Sequence, residues 1–188
     1  KLYVSPDGEN FGNPVEFSSN EYEYDGFPAD SIIFIRLTAE NSFGSSGFSE
    51  VLATYTKPTV SPKMIVVNGF DRSSDGNTFD FIRQHARAVV KNNVQFESAT
   101  NEAVEEGLFQ LSDYPVVDYI LGEESTVDET FSNQEQALVS EYLENGGGLF
   151  VSGSEIAWDL DYKGSSSDKD FFKNYLKAEY SADAPGGS

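Results

Sequence analysis

The chain of 188 residues has no cysteine, and it contains only one histidine. Without cysteine it has no disulfide framework, no cysteine-based zinc site and no cysteine nucleophile. The single histidine limits serine chemistry as well, because an activated serine usually needs a histidine as its base. These absences argue against several common catalytic arrangements, although they do not fix the cellular compartment.

Basic residues are also scarce, since 12 lysines and arginines stand against 32 aspartates and glutamates, and the formal net charge is -20. Such a charge repels phosphate backbones and anionic lipid heads. We therefore expect no nucleic-acid partner and no binding to membrane surfaces. The acidity favours solubility, and it also suits a site for a cation or for a neutral, hydroxyl-rich ligand.

The sequence lacks a signal peptide and any apolar run long enough to span a membrane, so we predict no membrane insertion. It begins at Lys1 and not at a methionine, and we expect a mature fragment whose targeting segment lies elsewhere. Hydrophobic residues at 38% and aromatic residues at 14% still supply a packed core. The length fits one large domain or two small ones.

Residues 1–57 predict a set of short antiparallel strands, because apolar residues alternate with polar ones and turn residues intervene. The alternation is clearest from Ile33 to Ala39, and residues 2–4 and 48–55 predict further strands. Prolines then make residues 58–62 a stiff linker. We place a domain boundary at this linker.

Part of this first segment resembles a fibronectin type III domain. Asp25 to Gly44, followed by Gly47 to Glu50, is similar to the last three strands of that domain, and Leu2 to Gly8 is similar to its third strand and turn. The resemblance implies a partial all-β sandwich whose first two strands lie before Lys1. Half a sandwich has an unpaired edge and an open core, so we expect this segment to pack against another part of the protein.

Residues 63–188 alternate strands and helices, which is the pattern of an α/β domain. The predicted strands are 64–67, 94–99, 115–122 and 149–151. Three of the predicted helices are 78–92, 101–111 and 168–180. Another helix is opened by a capping box at 132–135 and ends at Gly146. Short connections require right-handed crossovers and hence a parallel sheet. We expect a helix-flanked sheet of the flavodoxin-like or glutamine-amidotransferase-like class, truncated at its carboxyl end.

In a parallel sheet the residues that follow each strand converge on one edge. The residues at this predicted edge, most of which are acidic, are Asn68, Asp71, Arg72, Glu97, Ser98, Glu123, Glu124, Ser125, Ser152, Ser154, Glu155, Trp158, Asp159 and Asp161. Neither glycine-rich phosphate fingerprint is present, so a nucleotide cofactor is disfavoured.

The candidate catalytic residues at this edge are Ser154, Glu155 and Glu123. Ser154 stands where a nucleophile would follow the fourth strand, but the only histidine, His85, precedes it in a predicted helix. Clustered carboxylates raise one another's pKa values or recruit a metal, which favours Glu155 over the serine. The simpler interpretation of these carboxylates is that they are solvated loop acids.

Two further patterns predict binding. Asp71 and Asp75 resemble the first half of a calcium loop, although Ile82 occupies the position that should close the shell, and a polar loop is the alternative. Trp158 and Tyr162 suit the apolar face of a sugar ring, while the neighbouring acids accept its hydroxyls; an ordinary core tryptophan is the alternative. The candidate ligand-binding residues are Trp158, Tyr162, Asp159, Glu124, Asn68 and Arg72, and calcium is the candidate cofactor.

Residues 64–183 resemble a module of secreted Bacteroidetes proteins described as xanthan lyase-like. The resemblance is carried by Val66 to Arg72, Asn77 to Asp80, Ser98 to Glu102, Leu121 to Ser125, Asp128 to Phe131 and Gly148 to Gly164. It implies a secreted, periplasmic or cell-surface location, a polysaccharide or peptidoglycan glycan as partner, and other domains in the same longer chain.

A lyase must neutralise a uronate carboxylate, which an acidic edge repels unless a cation is bound. We therefore expect an accessory glycan- or cation-binding module of a polysaccharide-acting protein, without independent catalysis in this fragment. Two alternatives stay open. One is a polysaccharide lyase or hydrolase completed by residues beyond Ser188, and the other is a structural spacer.

Overall fold

A computed structural model describes residues 1–19, 23–55, 61–70 and 80–183. The strands are β1 (Leu2–Ser5), β2 (Ile32–Leu37), β3 (Glu40–Asn41), β4 (Gly44–Ser45), β5 (Leu52–Tyr55), β6 (Met64–Asn68), β7 (Phe96–Thr100), β8 (Val116–Gly122) and β9 (Gly148–Gly153). The α-helices are α1 (Ile82–Lys91), α2 (Asn101–Glu105), α3 (Asn133–Glu144) and α4 (Ser166–Asn174), with a 3₁₀ turn at Leu111–Asp113 and a π-helical turn at Trp158–Lys163.

Seven strands form one mixed sheet in the order β1-β2-β5-β7-β6-β8-β9, and helices flank it, so the predicted α/β class is confirmed. The pairs β1-β2, β2-β5 and β5-β7 are antiparallel, whereas β8 and β9 are parallel. The remaining strands, β3 and β4, form a separate two-stranded hairpin.

The chain divides into two compact units. Unit 1 comprises Lys1–Val66 and Thr78–Ser98, and unit 2 comprises Val67–Asn77 and Ala99–Ser188. Most of the predicted linker at 58–62 lies outside the described residues, so the domain boundary placed there stays a prediction.

In unit 1, α1 packs against β2 and β5. The strands of residues 1–57, which were expected to pack on another part of the protein, are thus in contact with this helix. The alternation in β2 predicts that Ile33 and every second residue after it form the only buried face of the strand. This prediction is only partly confirmed. Phe34, on the opposite face, is fully buried, and Leu37 is 42% exposed. The reason is that Phe34 lies beside Gly8, which in turn lies against Arg83 of α1.

Strand β5 is shorter than predicted, since residues 48–51 are not part of it. In their place the hydroxyl of Ser49 accepts a hydrogen bond from the Leu37 N–H at 2.9 Å. Strand β7 begins two residues later than predicted and ends one residue later, at Thr100. Ser98, a predicted edge residue, therefore lies within the strand and not after its end. Its hydroxyl accepts from the Ala53 N–H at 2.8 Å and donates to the Ala53 carbonyl at 2.6 Å.

In unit 2, β8 is buried along almost its whole length, as expected of a strand covered on both faces. The predicted capping box is present at the start of α3, and the helix is followed by Gly146 at φ +87°. Helix α2 stops earlier than predicted because Gly107, at φ +75°, adopts a left-handed conformation that ends it.

Helix α4 spans Ser166–Asn174 and is therefore shifted towards the amino terminus relative to the prediction of 168–180. Ser165 accepts a hydrogen bond from the Asp168 N–H, and the Asp168 carboxylate accepts one from the Ser165 N–H at 2.7 Å. This second capping box fixes the start of the helix, because it satisfies two backbone donors that the first turn leaves without partners.

The ring of Tyr119 makes Gly69 a position without room for a side chain. A Cβ added at Gly69 would lie 2.9 Å from the Cε1 atom of Tyr119 and 3.2 Å from the Cδ2 atom of Leu121. Tyr119 is fully buried, so its ring has no free space into which to move.

We expect Gly69→Ala to lower the free energy of unfolding by about 1–3 kcal/mol, as overpacking of a filled core does. Urea denaturation measures the change. Gly148→Ala is the matched control in the same sheet, because its nearest neighbour would be the Pro115 carbonyl at 3.4 Å, an ordinary contact distance. Equal stability of the two variants would contradict this account.

Candidate ligand-binding site

The carboxyl ends of β8 and β9 meet, as expected for parallel strands. The Ser154 N–H donates to the Gly122 carbonyl at 2.9 Å, directly after the two strands end. At Gly153 the close approach requires glycine, since a Cβ there would lie 2.9 Å from the Leu121 Cβ atom. The chain then enters the π-helical turn that carries Trp158 and Tyr162.

Three aromatic side chains form a cluster beyond β9, and we call Trp158, Tyr162 and Tyr180 the aromatic cluster. The rings of Trp158 and Tyr162 are stacked with centroids 4.7 Å apart and an interplanar angle of 28°. The Tyr180 ring lies 5.0 Å from Tyr162 and 6.1 Å from Trp158. Because Tyr162 is 52% exposed, the cluster presents aromatic surface to solvent.

Charged groups surround the aromatic cluster. The Nζ atom of Lys163 lies 4.8 Å from the Trp158 ring centroid and 4.9 Å from that of Tyr162, distances suited to a cation–π contact. Asp161 accepts a hydrogen bond from the Tyr180 N–H at 2.7 Å. Desolvation raises the pKa of Tyr180, and the carboxylates of Asp183 and Glu155 raise it further, so its hydroxyl stays protonated.

Tyr180 is a site residue that sequence reasoning missed, since the helix pattern placed it at the end of a helix. The chain instead leaves α4 at Asn174, and Lys177 takes a positive φ of 56° before Tyr180 returns to the π-helical turn. The one signal was an aromatic residue beyond the end of the amphipathic pattern. The return itself depends on the contacts of Tyr180 with Asp161 and the two rings, which no local pattern encodes.

Asp159, a candidate ligand-binding residue, is used inside the protein. One oxygen of its carboxylate accepts hydrogen bonds from both the N–H and the hydroxyl of Thr130, each at 2.8 Å. Thr130 is buried, so these two donors depend on Asp159 for an acceptor. Asp159 thereby fastens the loop after β8 to the π-helical turn.

The remaining predicted edge residues differ in their access to solvent. Glu124 is only 1% exposed and Asn68 is also buried, whereas Glu123 is exposed and Glu155 is partly exposed. Asp71, Arg72 and Asp75 lie outside the described residues. Within residues 1–19, 23–55, 61–70 and 80–183, no three acidic or histidine side chains are arranged to hold a metal ion.

Ser154 lies beside a largely apolar cleft. This cavity, of about 450 Å³, is lined by the side chains of Leu143, Leu149, Val151, Ile156, Phe172 and Leu176 among others. The described lining residues include no histidine and no carboxylate. His85 is on α1 in unit 1. The described lining of this cleft therefore offers Ser154 no histidine or carboxylate as a base.

Unit 2 contains another cavity of about 430 Å³, located near the amino end of β8 and away from the predicted edge. The hydroxyl of Tyr142 donates to the Tyr114 and Gly148 carbonyls beside it, at 3.0 and 3.2 Å. Burial raises the pKa of Tyr142, so this hydroxyl stays a donor.

Comparison of the chain with known proteins found no matching family model, no matching curated protein and no matching solved structure. In the part of the chain that the structure describes, no helix is both long and apolar enough to cross a membrane. The fold and the site therefore define an α/β protein with a partly exposed aromatic cluster, and the resemblance to xanthan lyase-like proteins stays a prediction.

We expect Asp159→Ala to lower the free energy of unfolding by about 1–3 kcal/mol, because it leaves two buried donors of Thr130 without an acceptor. The control is Asp170→Ala, which removes an exposed carboxylate from α4. Thermal or urea denaturation followed by circular dichroism measures both variants. Equal effects of the two substitutions would show that the Thr130 contacts contribute no stability.

A second expectation concerns Glu135, whose pKa is raised by burial although the Tyr119 hydroxyl donates to it at 2.5 Å. The unfolded carboxyl loses its proton near the ordinary pKa of 4.5, whereas the folded carboxyl keeps it to higher pH. Its contribution to stability is therefore fully present below that value and is lost as pH rises through the folded pKa.

Relative to Glu135→Gln, the wild type should thus lose stability as the pH rises above the ordinary pKa of 4.5. Urea denaturation at a series of pH values measures the difference, and Glu141→Gln, an exposed change on the same helix, is the control. A difference between wild type and Glu135→Gln that is independent of pH would contradict the burial argument.

Proposed function

We propose that this chain is an accessory carbohydrate-binding module of a polysaccharide-acting protein, and that the aromatic cluster is its binding surface. The observation that carries the proposal is the partly exposed stack of Trp158 and Tyr162, extended by Tyr180. The C–H face of a sugar ring is apolar and packs on an aromatic face, and its hydroxyls point outwards to polar partners.

Polar groups for those hydroxyls are present around the aromatic cluster. Lys163 supplies an ammonium donor within 5 Å of both rings, at 4.8 and 4.9 Å. Glu155 is partly exposed and close enough to Tyr180 to influence its pKa, so its carboxylate is available as an acceptor. The net charge of -20 favours a neutral glycan over an anionic one.

The finer fold assignment is part of the same proposal. Counted along the chain, the strands that alternate with helices are β6, β7, β8 and β9, and their order in the sheet is second, first, third, fourth. This order is that of flavodoxin-like sheets. The antiparallel order β1-β2-β5 is that of one sheet of a fibronectin type III-like sandwich, if these strands are its third, sixth and seventh.

A glycan-binding role agrees with a secreted, periplasmic or cell-surface location, which we propose with it. Binding is proposed here in preference to turnover because the described lining of the cleft beside Ser154 contains no histidine or carboxylate, and because Asp159 is used internally. Calcium remains a proposal that rests on the sequence pattern from Asp71 to Gly76 alone.

The test uses intrinsic fluorescence, since Trp158 is the only tryptophan in the sequence. Neutral gluco-oligosaccharides should change its emission in a saturable way, and Tyr162→Ala should weaken binding about tenfold, given that aromatic contacts contribute up to about 1.5 kcal/mol. Phe43→Ala is the control, because it removes a 98% exposed aromatic ring elsewhere. Peptidoglycan fragments and uronate-containing oligosaccharides are titrated in parallel.

Two results would overturn the proposal. One is the absence of saturable binding to any of these glycans at millimolar concentration. The other is unchanged affinity in a Tyr162→Ala variant that melts like the wild type, since the ring surface would then contribute nothing to recognition.

A further inference from the structure

Unit 1 contains an arginine, Arg36, that has no acidic partner among the described residues. The Cζ atom of Arg36 lies 3.6 Å from the ring centroid of Phe48 and 4.0 Å from that of Phe11, with Tyr3 farther away at 6.0 Å. Among the residues that the structure describes, no carboxylate lies within ion-pair distance of it. Within the described part of the chain, the groups that face this guanidinium are aromatic rings.

The hydrogen bonds of Arg36 are incomplete as well. Its Nε atom is buried from solvent and has no hydrogen-bond acceptor in the described part of the chain. A buried donor without an acceptor is costly and rare in folded proteins. The sequence has 32 acidic residues against 12 basic ones, so a missing partner for an arginine is not explained by a shortage of carboxylates.

Arg83 of the same unit also has a buried Nε atom without an acceptor in the described part of the chain, but its ion pairs differ from those of Arg36. Arg83 has a carboxylate of Glu9 at 3.0 Å and forms a second ion pair with Asp80. Its charge is thus neutralised locally, and Glu9 and Asp80 are occupied by it. Of these two arginines, only Arg36 keeps an uncompensated positive charge.

Arg36 also lines a cavity. The cavity has a volume of about 390 Å³, within the range of small-ligand sites. Its lining includes Phe11, Phe48 and Arg83, and also Glu9 and Asp80, whose carboxylates form ion pairs with Arg83. Two aromatic rings thus stand beside the Arg36 guanidinium, whose planar fork of donors matches a carboxylate. Ring contacts cover part of the guanidinium and restrict its motion. The side chain therefore loses less conformational entropy when a ligand binds.

We propose that the Arg36 cavity binds an organic carboxylate, with the guanidinium holding the carboxylate and the Phe11 and Phe48 rings contacting the hydrocarbon part. The same chemistry is present in a sugar acid and in an acidic side chain of another protein. The site belongs to unit 1 and does not include the aromatic cluster. Its test is therefore independent of the test of the proposed glycan function.

The experiment is a calorimetric titration of the whole chain with benzoate, glucuronate and an N-acetylated, C-amidated Gly-Glu-Gly peptide, each beside a neutral counterpart: benzamide, glucose and Gly-Gln-Gly with the same two caps. We expect a carboxylate to bind at least about tenfold more tightly than its neutral counterpart, because hydrogen bonds between charged groups are stronger than those between neutral groups. Preference for glucuronate indicates a sugar-acid ligand, and preference for the peptide indicates a protein partner.

Three variants assign the site. Arg36→Gln should abolish the preference for carboxylates, and Arg36→Lys should retain part of it, since lysine keeps the charge without the planar fork. Lys91→Gln is the matched control, because it removes one positive charge from an exposed side chain of the same unit. Lys91 is not among the residues of the cavity.

A measurement on the wild type covers the case in which Arg36 variants fail to fold. In ¹⁵N NMR spectra, the Arg36 Nε–H resonance should shift saturably with the carboxylate probe and stay unchanged with its neutral counterpart. Three results would overturn the proposal: equal affinity for charged and neutral probes, an equal loss of binding in Lys91→Gln, or an Arg36 resonance that does not respond while the probe binds.

Discussion

Unit 2 depends on the burial of one hydroxyl group in the middle of its sheet. Tyr119 lies in β8 with no exposure to solvent, so its O–H needs a partner inside the protein. It donates to Glu135 at 2.5 Å, and the other oxygen of Glu135 accepts from the Ser132 N–H at 2.7 Å. One carboxylate thus ties the centre of the sheet to the first turn of α3.

The residues between Tyr119 and α3 connect the hydrogen bond between Tyr119 and Glu135 to the aromatic cluster. The Phe131 ring packs on Tyr119 at 4.9 Å and on Phe171 of α4 at 5.4 Å. Its neighbour Thr130 donates twice to Asp159, which stands next to Trp158. The stacked rings therefore rest on a turn whose position is set from inside the core, so the aromatic surface is arranged in advance of any ligand.

A second carboxylate, Asp168, joins α3 to α4 with the opposite effect on ionisation. Burial disfavours its charged form, but hydrogen bonds from Gln136 and Ser165 outweigh this and hold the pKa of Asp168 below its usual range. Glu135, by contrast, is buried deeply enough that its pKa is raised despite its donors. The two capping carboxylates of this unit thus differ because of their surroundings and not because of their motif.

What the sequence predicted well is local, and what it missed is long-range. The strands β6, β8 and β9 and the capping box of α3 follow from apolar runs and a four-residue motif. The predicted helix over 101–111 was too long, because Gly107 ends α2 early. The return of Tyr180, the use of Asp159 by Thr130 and the aromatic contacts of Arg36 join residues far apart in the chain. Such pairs depend on tertiary packing, which periodicity and turn residues do not encode.

The measurement that tests the central claim most directly is a protein-observed NMR titration with a neutral oligosaccharide. Because the sequence has a single tryptophan, its spectrum contains one indole N–H resonance, that of Trp158. This account predicts that the indole resonance and the amides of Lys163 and Tyr180 shift together and saturate with one affinity. A glycan that binds while these three resonances stay unchanged would contradict it.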